Sequence, residues 1–387
     1  MVKYNNLNFK VDLDNNRDFL LKKIKNKNIL VIGGAGSIGS SYVKKILDYK
    51  PSKITIVDIN ENGLTELTRD LRSSNLLDYK PHYITYPVNL LSDTFDKIFN
   101  SDSWDVVANF AAHKHVRSEK DGISIEALIE NNVFGAIKML ELCEKNPPQF
   151  FFSVSTDKAA NPVNVMGASK SLMEKLILSK KNNFRVSTAR FANVAFSNGS
   201  LLDGFTYRLE KNQPLSCPSD IKRFFVTHEQ SGEICLLATF LGDSGNIFFP
   251  KLDFNQDQLY FKDIAFDFLT NNGFIPTVMN SEEEAKNFDI VINKPKYPIY
   301  LFPTDTSGEK TYEEFYTDEE NFNLKKYNSI GYIITGDNEI SYKDVVNDFK
   351  NVFKENSINK SSLIKILKKY LPDFNHIERG KNLDQKM

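Results

Sequence analysis

From Asn28 onward, short apolar runs rich in β-branched and aromatic residues alternate with longer stretches of helical spacing. The runs "NILVIGG", "SKITIVDI", "HYITYPV", "WDVVANFAA", "QFFFSVS" and "FRVSTARF" are the strand candidates. Such alternation predicts an α/β fold with a parallel sheet covered by helices on both faces. The clearest helix lies between the fourth and fifth runs, where Ile125, Leu128, Ile129, Asn132, Ala136, Met139, Leu140 and Cys143 recur at three- and four-residue spacing. Pro147 and Pro148 stop it. Beyond about Ser197 the alternation fades into a mixed region, followed by a helical "YFKDIAFDFLTNNG" and an acidic "NSEEEAKNFD". The last sixty or so residues are Lys/Asn-rich, with one helical pattern at "SSLIKILKKYL". The expected organisation is an N-terminal arm (1–26), a nucleotide-binding domain (27–196), a smaller mixed α/β substrate lobe (197–330) and a C-terminal extension (331–387).

Composition narrows the partners. With 49 basic against 50 acidic residues and a formal charge of -1, nothing favours a nucleic-acid or anionic-membrane partner. Cys143, Cys217 and Cys235 are scattered and lack CxxC spacing, which suits a reducing compartment and gives neither a disulfide framework nor a zinc site. His113 and His115 alternate along an extended stretch without further ligands nearby, so no metal is expected. No run approaches the roughly 18 to 20 apolar residues of a membrane helix, and the expected location is cytoplasmic.

The stretch "VIGGAGSIGSSYVKKIL" sets Gly33, Gly36 and Gly39 three apart, after a strand and at the start of a helix. A tight turn, a backbone that approaches a pyrophosphate and a helix packed on its strand all call for residues without Cβ. The second strand ends in Asp58, nineteen residues past Gly39, where a carboxylate accepts hydrogen bonds from the adenosine ribose and repels a 2′-phosphate. The pattern predicts a Rossmann-type doubly wound sheet binding NAD rather than NADP.

The fifth strand delivers Ser155, Thr156, Asp157 and Lys158 at its carboxyl end, where parallel sheets place their ligand crevice. The next helix carries Met166 and, one turn on, Lys170. A sheet-end hydroxyl followed by a helical residue and a lysine four positions later resembles the short-chain dehydrogenase/reductase superfamily, whose helical pair is usually Tyr-x-x-x-Lys. Here the tyrosine position is Met166. "STDKAANPVNVMGASK" is similar to one branch of the extended members, the polysaccharide-biosynthesis-type UDP-N-acetylglucosamine 4,6-dehydratases, some of which carry methionine there. "GGAGSIGS", "AAHKHV", "RFANV" through "NGS", "IKRFFVT" and "SGEKTYEEF" fit the same branch, so the resemblance spans roughly Lys27 to Phe322. Thr306 and Ser307 stand where an arginine and a proline often precede the Gly-Glu-Lys element.

The resemblance implies a soluble NAD-dependent nucleotide-sugar 4,6-dehydratase acting on a UDP-sugar. Ser37, Ile38, Asn89, Leu90, Ala111, Ala112, Lys114 and Ser155 would join Gly33, Gly36, Gly39, Asp58 and Lys170 around the cofactor. Lys114, His115, Asn193, Ser200 and Arg223 would meet the substrate, with Arg223 at the diphosphate and Arg190 along the cleft. Asp157 would be the acid toward O6 and Lys158 the base at C5, with Thr156 orienting O4. Lys170 would bond the nicotinamide ribose, Asn132 would steady the active-site backbone, and Met166 would be a contact without a proton role. Subunits would pair as a homodimer or larger homo-oligomer through helices at 123–144 and 166–182. Two other readings stay open. A nucleotide-sugar 4-epimerase shares the oxidised intermediate but usually keeps the tyrosine and has no need of the Asp157-Lys158 pair. A catalytically silent NAD-binding scaffold would account for Met166 but gives no reason to retain Thr156, Asp157, Lys158 and Lys170 together.

Overall fold

The structure is a computed structural model that describes residues 5–304, 310, 312–354 and 358–377. Six strands coincide with the six expected runs: β1 (Asn28–Ile32), β2 (Lys53–Asp58), β3 (His82–Pro87), β4 (Val106–Asn109), β5 (Phe150–Val154) and β6 (Val186–Ala189). They are followed by β7 (Asn193–Val194), β8 (Leu215–Pro218), β9 (Lys222–Val226), β10 (Asn246–Pro250), β11 (Gln258–Tyr260), β12 (Ile275–Met279), β13 (Lys296–Phe302), β14 (Phe322–Asn323) and β15 (Ile330–Ile334).

The main sheet runs β3-β2-β1-β4-β5-β6-β10-β15-β14. It is parallel from β3 to β10, and β15 and β14 add antiparallel to that edge. Strands β4, β5 and β6 are buried along their whole length because helices cover both faces, so they read as continuous apolar runs. The order reverses between β1 and β4, which opens a crevice beyond their carboxyl ends. Residues after Ala192 build two small sheets beside that crevice, β7-β9-β11 and β8-β13-β12, around Phe205, Phe225, Leu269 and Tyr297. The chain returns to the main sheet twice, through β10 and later through β14 and β15. The smaller lobe therefore grows out of the sheet's edge.

The termini are packed parts of the fold. Helices Phe9–Asn15 and Arg17–Ile24 bury Phe9, Leu13, Leu20 and Ile24 in the main core. Asp12 accepts hydrogen bonds from the backbone N–H groups of Asn328 at 2.8 Å and Ser329 at 2.6 Å, fastening the arm beside β15. At the other end, the helix Lys360–Tyr370 lies over the helices Gly122–Ile129 and Val165–Leu178, and the helix Tyr342–Phe353 packs beside it, against Phe134 and the Leu176 carbonyl. Leu363 and Leu367 share one buried cluster with Leu128, Val165, Leu172 and Leu176. The face expected to pair two subunits is thus covered by the chain's own C-terminal helices. The helix at Tyr342 was not singled out from the sequence, although Tyr342, Val345, Val346, Phe349, Val352 and Phe353 recur there at three- and four-residue spacing.

Candidate active site

The three glycines spaced three apart in the first turn, Gly33, Gly36 and Gly39, are required for different reasons. Gly33 takes φ +72°, and a Cβ there would lie 2.4 Å from the amide nitrogen of Ala111. At Gly39 a Cβ would come within 2.3 Å of the carbonyl oxygen of Gly33. The protein's own backbone demands glycine at both. At Gly36 the nearest atom would be Gly33 O at an ordinary 3.5 Å, so nothing in the chain requires it. Gly36 caps the N-terminus of the helix Ser37–Leu47, where Ile38 and Gly39 fill the first turn. Free N–H groups and the helix dipole make this end a cradle for an anion. Asp58 sits alongside, with one oxygen accepting from Ala35 N and the other from Asn60 N, both at 2.9 Å. It shapes the loop and keeps lone pairs toward solvent. Asn89 holds its turn through Leu91 N, and Leu90 is buried beneath it. Ala111 and Ala112 follow β4, where Ala111 donates to the Asn109 side chain. These residues fit an adenine dinucleotide.

The carboxyl end of β5 carries the densest polar group. Thr156 Oγ1 donates to Asp157 Oδ1 at 2.8 Å, and the Lys158 backbone N–H donates to the same oxygen at 2.9 Å. Lys158 Nζ lies 3.2 Å from it. Asp157 is 2% exposed, yet its Oδ2 is buried without a partner among the described residues, as is Ser155 Oγ two residues earlier. Orphaned buried oxygens at a crevice call for a ligand or water. Burial alone would lower the pKa of Lys158, but the carboxylates of Asp157 and Glu313 outweigh it and hold the amine above the ordinary lysine value. Lys158 is an ammonium at rest.

The helix Val165–Leu178 stands directly against this group. A Cβ on Gly167 would meet the Lys158 carbonyl oxygen at 2.6 Å, so the glycine after Met166 is what lets the helix come so close. Met166 itself is 3% exposed and belongs to the core cluster, consistent with packing. Lys170 points back to β5, its Nζ 2.7 Å from the Val154 carbonyl oxygen. Asn132 donates to His113 O at 3.0 Å and to Ser169 Oγ at 2.9 Å, and accepts from His113 N at 2.8 Å. It sits in a π-helical segment, Glu130–Phe134, that interrupts the expected long helix. The inserted residue turns the Asn132 side chain to the backbone after β4, a device common near functional sites.

Other expected residues meet at the crevice rim. Lys114 Nζ donates to Asn198 O at 2.8 Å, Ser37 Oγ accepts from Asn198 N at 2.9 Å, and His115 lies against Gly199. The segment 198–199 thereby bridges the glycine loop and the loop after β4. Ser200 caps the helix Leu201–Glu210. Asn193 on β7 leaves its buried Nδ2 without a partner among the described residues. Two arginines turn inward. Arg190 grips Glu174 through Nε at 3.1 Å and NH2 at 2.9 Å, and reaches Phe315 O at 3.0 Å and Glu320 at 2.9 Å through NH1. Arg223, expected at the diphosphate, is 5% exposed and donates to Lys222 O and Lys310 O. Its NH2 lies 3.7 Å from Glu313. Glu313 was not singled out from the sequence, although it stands in the quoted "SGEKTYEEF". Thr306 to Glu309 lie outside the described residues, as do 1–4 and 378–387.

The chain matches, over residues 29–335, the family described as polysaccharide biosynthesis protein. It belongs to that family. An uncharacterized membrane protein of Methanocaldococcus jannaschii is 31% identical, covering 89% of this chain and 96% of the relative. A UDP-N-acetylglucosamine 4,6-dehydratase (inverting) of Campylobacter jejuni is 32% identical, covering 58% of this chain and 67% of the relative. A UDP-glucose 4-epimerase of Rickettsia bellii is 29% identical, covering 68% and 81%. Among solved structures, Pen from Bacillus thuringiensis superposes with a TM-score of 0.66 at 21% identity, over 90% of this chain and 98% of that one. Among the described residues no helix of the family member is long and apolar enough to cross a membrane.

Proposed function

We propose that this protein is an NAD-dependent nucleotide-sugar 4,6-dehydratase, converting UDP-N-acetylglucosamine to a 4-keto-6-deoxy product. The observation that carries the reading is the touching Asp157–Lys158 pair at the end of β5 beside Thr156 and Lys170, its carboxylate buried and its lysine largely so, with methionine where a phenol would stand. An epimerase needs no acid–base pair for eliminating water. A silent scaffold needs neither a buried carboxylate with an open oxygen nor a buried lysine beside it.

Bound NAD supplies an acceptor and donor of hydride. The chain would hold it through Gly36 and the helix N-terminus at the pyrophosphate, Asp58 at the adenosine ribose, and Lys170 at the second ribose. The net reaction oxidises C4 to a ketone, reduces C6 to a methyl group and expels one water. The chain's own share is proton movement. Asp157 takes the O4 proton, with Thr156 orienting the hydroxyl, and delivers it to the departing O6. Lys158 removes the C5 proton, acidified by the neighbouring ketone, and gives it back. That step draws on the neutral-amine fraction of Lys158, so the rate rises with pH. Any homo-oligomer would use a face other than the one under the C-terminal helices.

Incubation with UDP-N-acetylglucosamine in D2O, followed by NMR and mass spectrometry, tests the reading. A product one water lighter, with a C6 methyl and deuterium at C5, supports it. An isomer of unchanged composition means epimerisation, and an unaltered substrate overturns both enzymatic readings.

A further inference from the structure

We propose that Glu313 is a positioning residue of this site: its carboxylate, countered by Arg223, holds the Lys158 ammonium and sets how readily that amine releases its proton. The inference rests on the reading of Lys158 as the base at C5. Glu313 is 3% exposed, and its Oε1 stands 3.5 Å from Lys158 Nζ. It arrives from the C-terminal segment, far along the chain from β5, and is held there firmly. Two residues on, the Phe315 carbonyl accepts from Arg190 at 3.0 Å, and the Phe315 ring packs on Phe224 and Phe249. Before it, the Lys310 carbonyl accepts from Arg223 at 2.9 Å.

Asp157, Lys158, Glu313 and Arg223 form a chain of two anions and two cations, with Asp157, Glu313 and Arg223 buried and the Lys158 side chain 16% exposed; Lys310 is a further cation acting on Glu313. Buried charges survive where each has its counter-charge. Lys158 has a carboxylate on either side, and Arg223 tempers the second. Two carboxylates make the neutral amine a stronger base, which a carbon acid demands, while Arg223 keeps it from being locked as the ammonium. Removing Glu313 leaves two cations against one anion, and the cheapest relief is loss of the Lys158 proton. Removing Arg223 has the opposite effect. A residue that merely props the fold has no reason to move the titration in opposite directions.

The test follows the Nζ ammonium resonance of Lys158 in full-length protein labelled with 15N-lysine, assigned by its disappearance in Lys158→Arg. In Glu313→Gln the resonance should be lost at a pH about one unit lower than in the wild type, the effect of one nearby charge. Glu313→Asp should restore part of the difference, and Arg223→Gln should carry the signal to higher pH. The acid limb of the pH profile for C5 deuterium incorporation should move with the resonance. An unchanged titration in folded Glu313→Gln, or shifts of the same sign in Glu313→Gln and Arg223→Gln, would overturn the proposal. If the resonances move as expected while the wild type leaves UDP-N-acetylglucosamine unaltered, the network stands and the dehydratase reading falls.

Discussion

Lys170 sets its Nζ 2.7 Å from the carbonyl oxygen of Val154, so the helix Val165–Leu178 is tied by a charged side chain to the last residue of β5. Burial pushes the amine down to about 8, and Glu174 only partly offsets it. In the unfolded chain the same group titrates near 10.4. Between these values the unfolded state binds the proton and the folded state has released it, so this group makes stability rise with pH across that window. Below it the cost of a buried ammonium is felt in full. Lys170→Met should therefore be more stable than the wild type at pH 7, by up to about 3 kcal/mol, with the gain fading above about pH 10. Urea denaturation across pH 7 to 10 measures it, and a gain independent of pH would show that the lysine does not titrate in this way.

The first turn separates folding from binding. Gly39→Ala places a methyl carbon 2.3 Å from the Gly33 carbonyl oxygen, and Gly33→Ala adds a left-handed φ of +72° to a contact of 2.4 Å. Both should lower the melting temperature, each costing on the order of 1–3 kcal/mol. Gly36→Ala meets only an ordinary 3.5 Å contact, so its melting temperature should stay close to the wild type while NAD affinity falls at least about tenfold, a loss of about 1.4 kcal/mol. Thermal melts with and without NAD, together with calorimetric titration, distinguish the three. An unaltered affinity in Gly36→Ala would remove the pyrophosphate from this cradle.

The contrast between Gly36 and Glu313 shows what a sequence discloses. The glycine turn, the strand ends at Asp58 and Asp157, and the Met166–Lys170 stripe lie within single elements or their junctions, where local periodicity and turn chemistry specify position. All six expected strands formed where their apolar runs stand. Glu313 and Arg223 acquire their meaning from tertiary contacts across distant segments, and nothing in "TYEEF" marks which of two adjacent glutamates turns inward. The π-helical segment at Asn132 was hidden for a different reason. Its apolar spacing still fits an ordinary helix, and only the polar residue within the stripe signalled that a partner waited there. The cover supplied by the C-terminal helices was illegible because burial of the pairing face is the same whether the second surface comes from another subunit or from the chain itself.

Asn132 offers a test of that interruption. Its Nδ2 donates to His113 O and Ser169 Oγ while its Oδ1 accepts from His113 N. Asn132→Asp keeps the shape and replaces the donor with an oxygen facing two acceptors. The variant should lose about 2–3 kcal/mol, the usual cost of an unsatisfied buried group, at neutral pH. The loss should shrink as pH falls and the carboxyl regains a donating proton. Melting temperatures at pH 7 and 5 provide the measurement, and equal losses at both would assign the defect to packing.

The C-terminal helices can be removed to ask what they replace. A Cβ on Gly122 would meet the Ile358 carbonyl oxygen at 2.2 Å, Lys175 Nζ donates to Tyr370 O at 3.1 Å, and the Phe134 ring packs on Phe349 and Phe353. This is interior-grade contact over the helices that flank the candidate site. Ending the chain at Glu339 would bare Leu128, Val165, Leu172 and Leu176, buried now beneath Leu363 and Leu367. Exposed apolar patches of that kind drive association, so the truncated protein should elute as a dimer or larger species where the full chain does not self-associate through this face. Leu367→Asp, which buries a charge in the same seam, should destabilise by at least about 3 kcal/mol and reproduce the association. Light scattering coupled to size-exclusion chromatography reads both. A truncated chain with unaltered mass and melting temperature would mean that the helices are an appendage and that the face beneath them needs no cover.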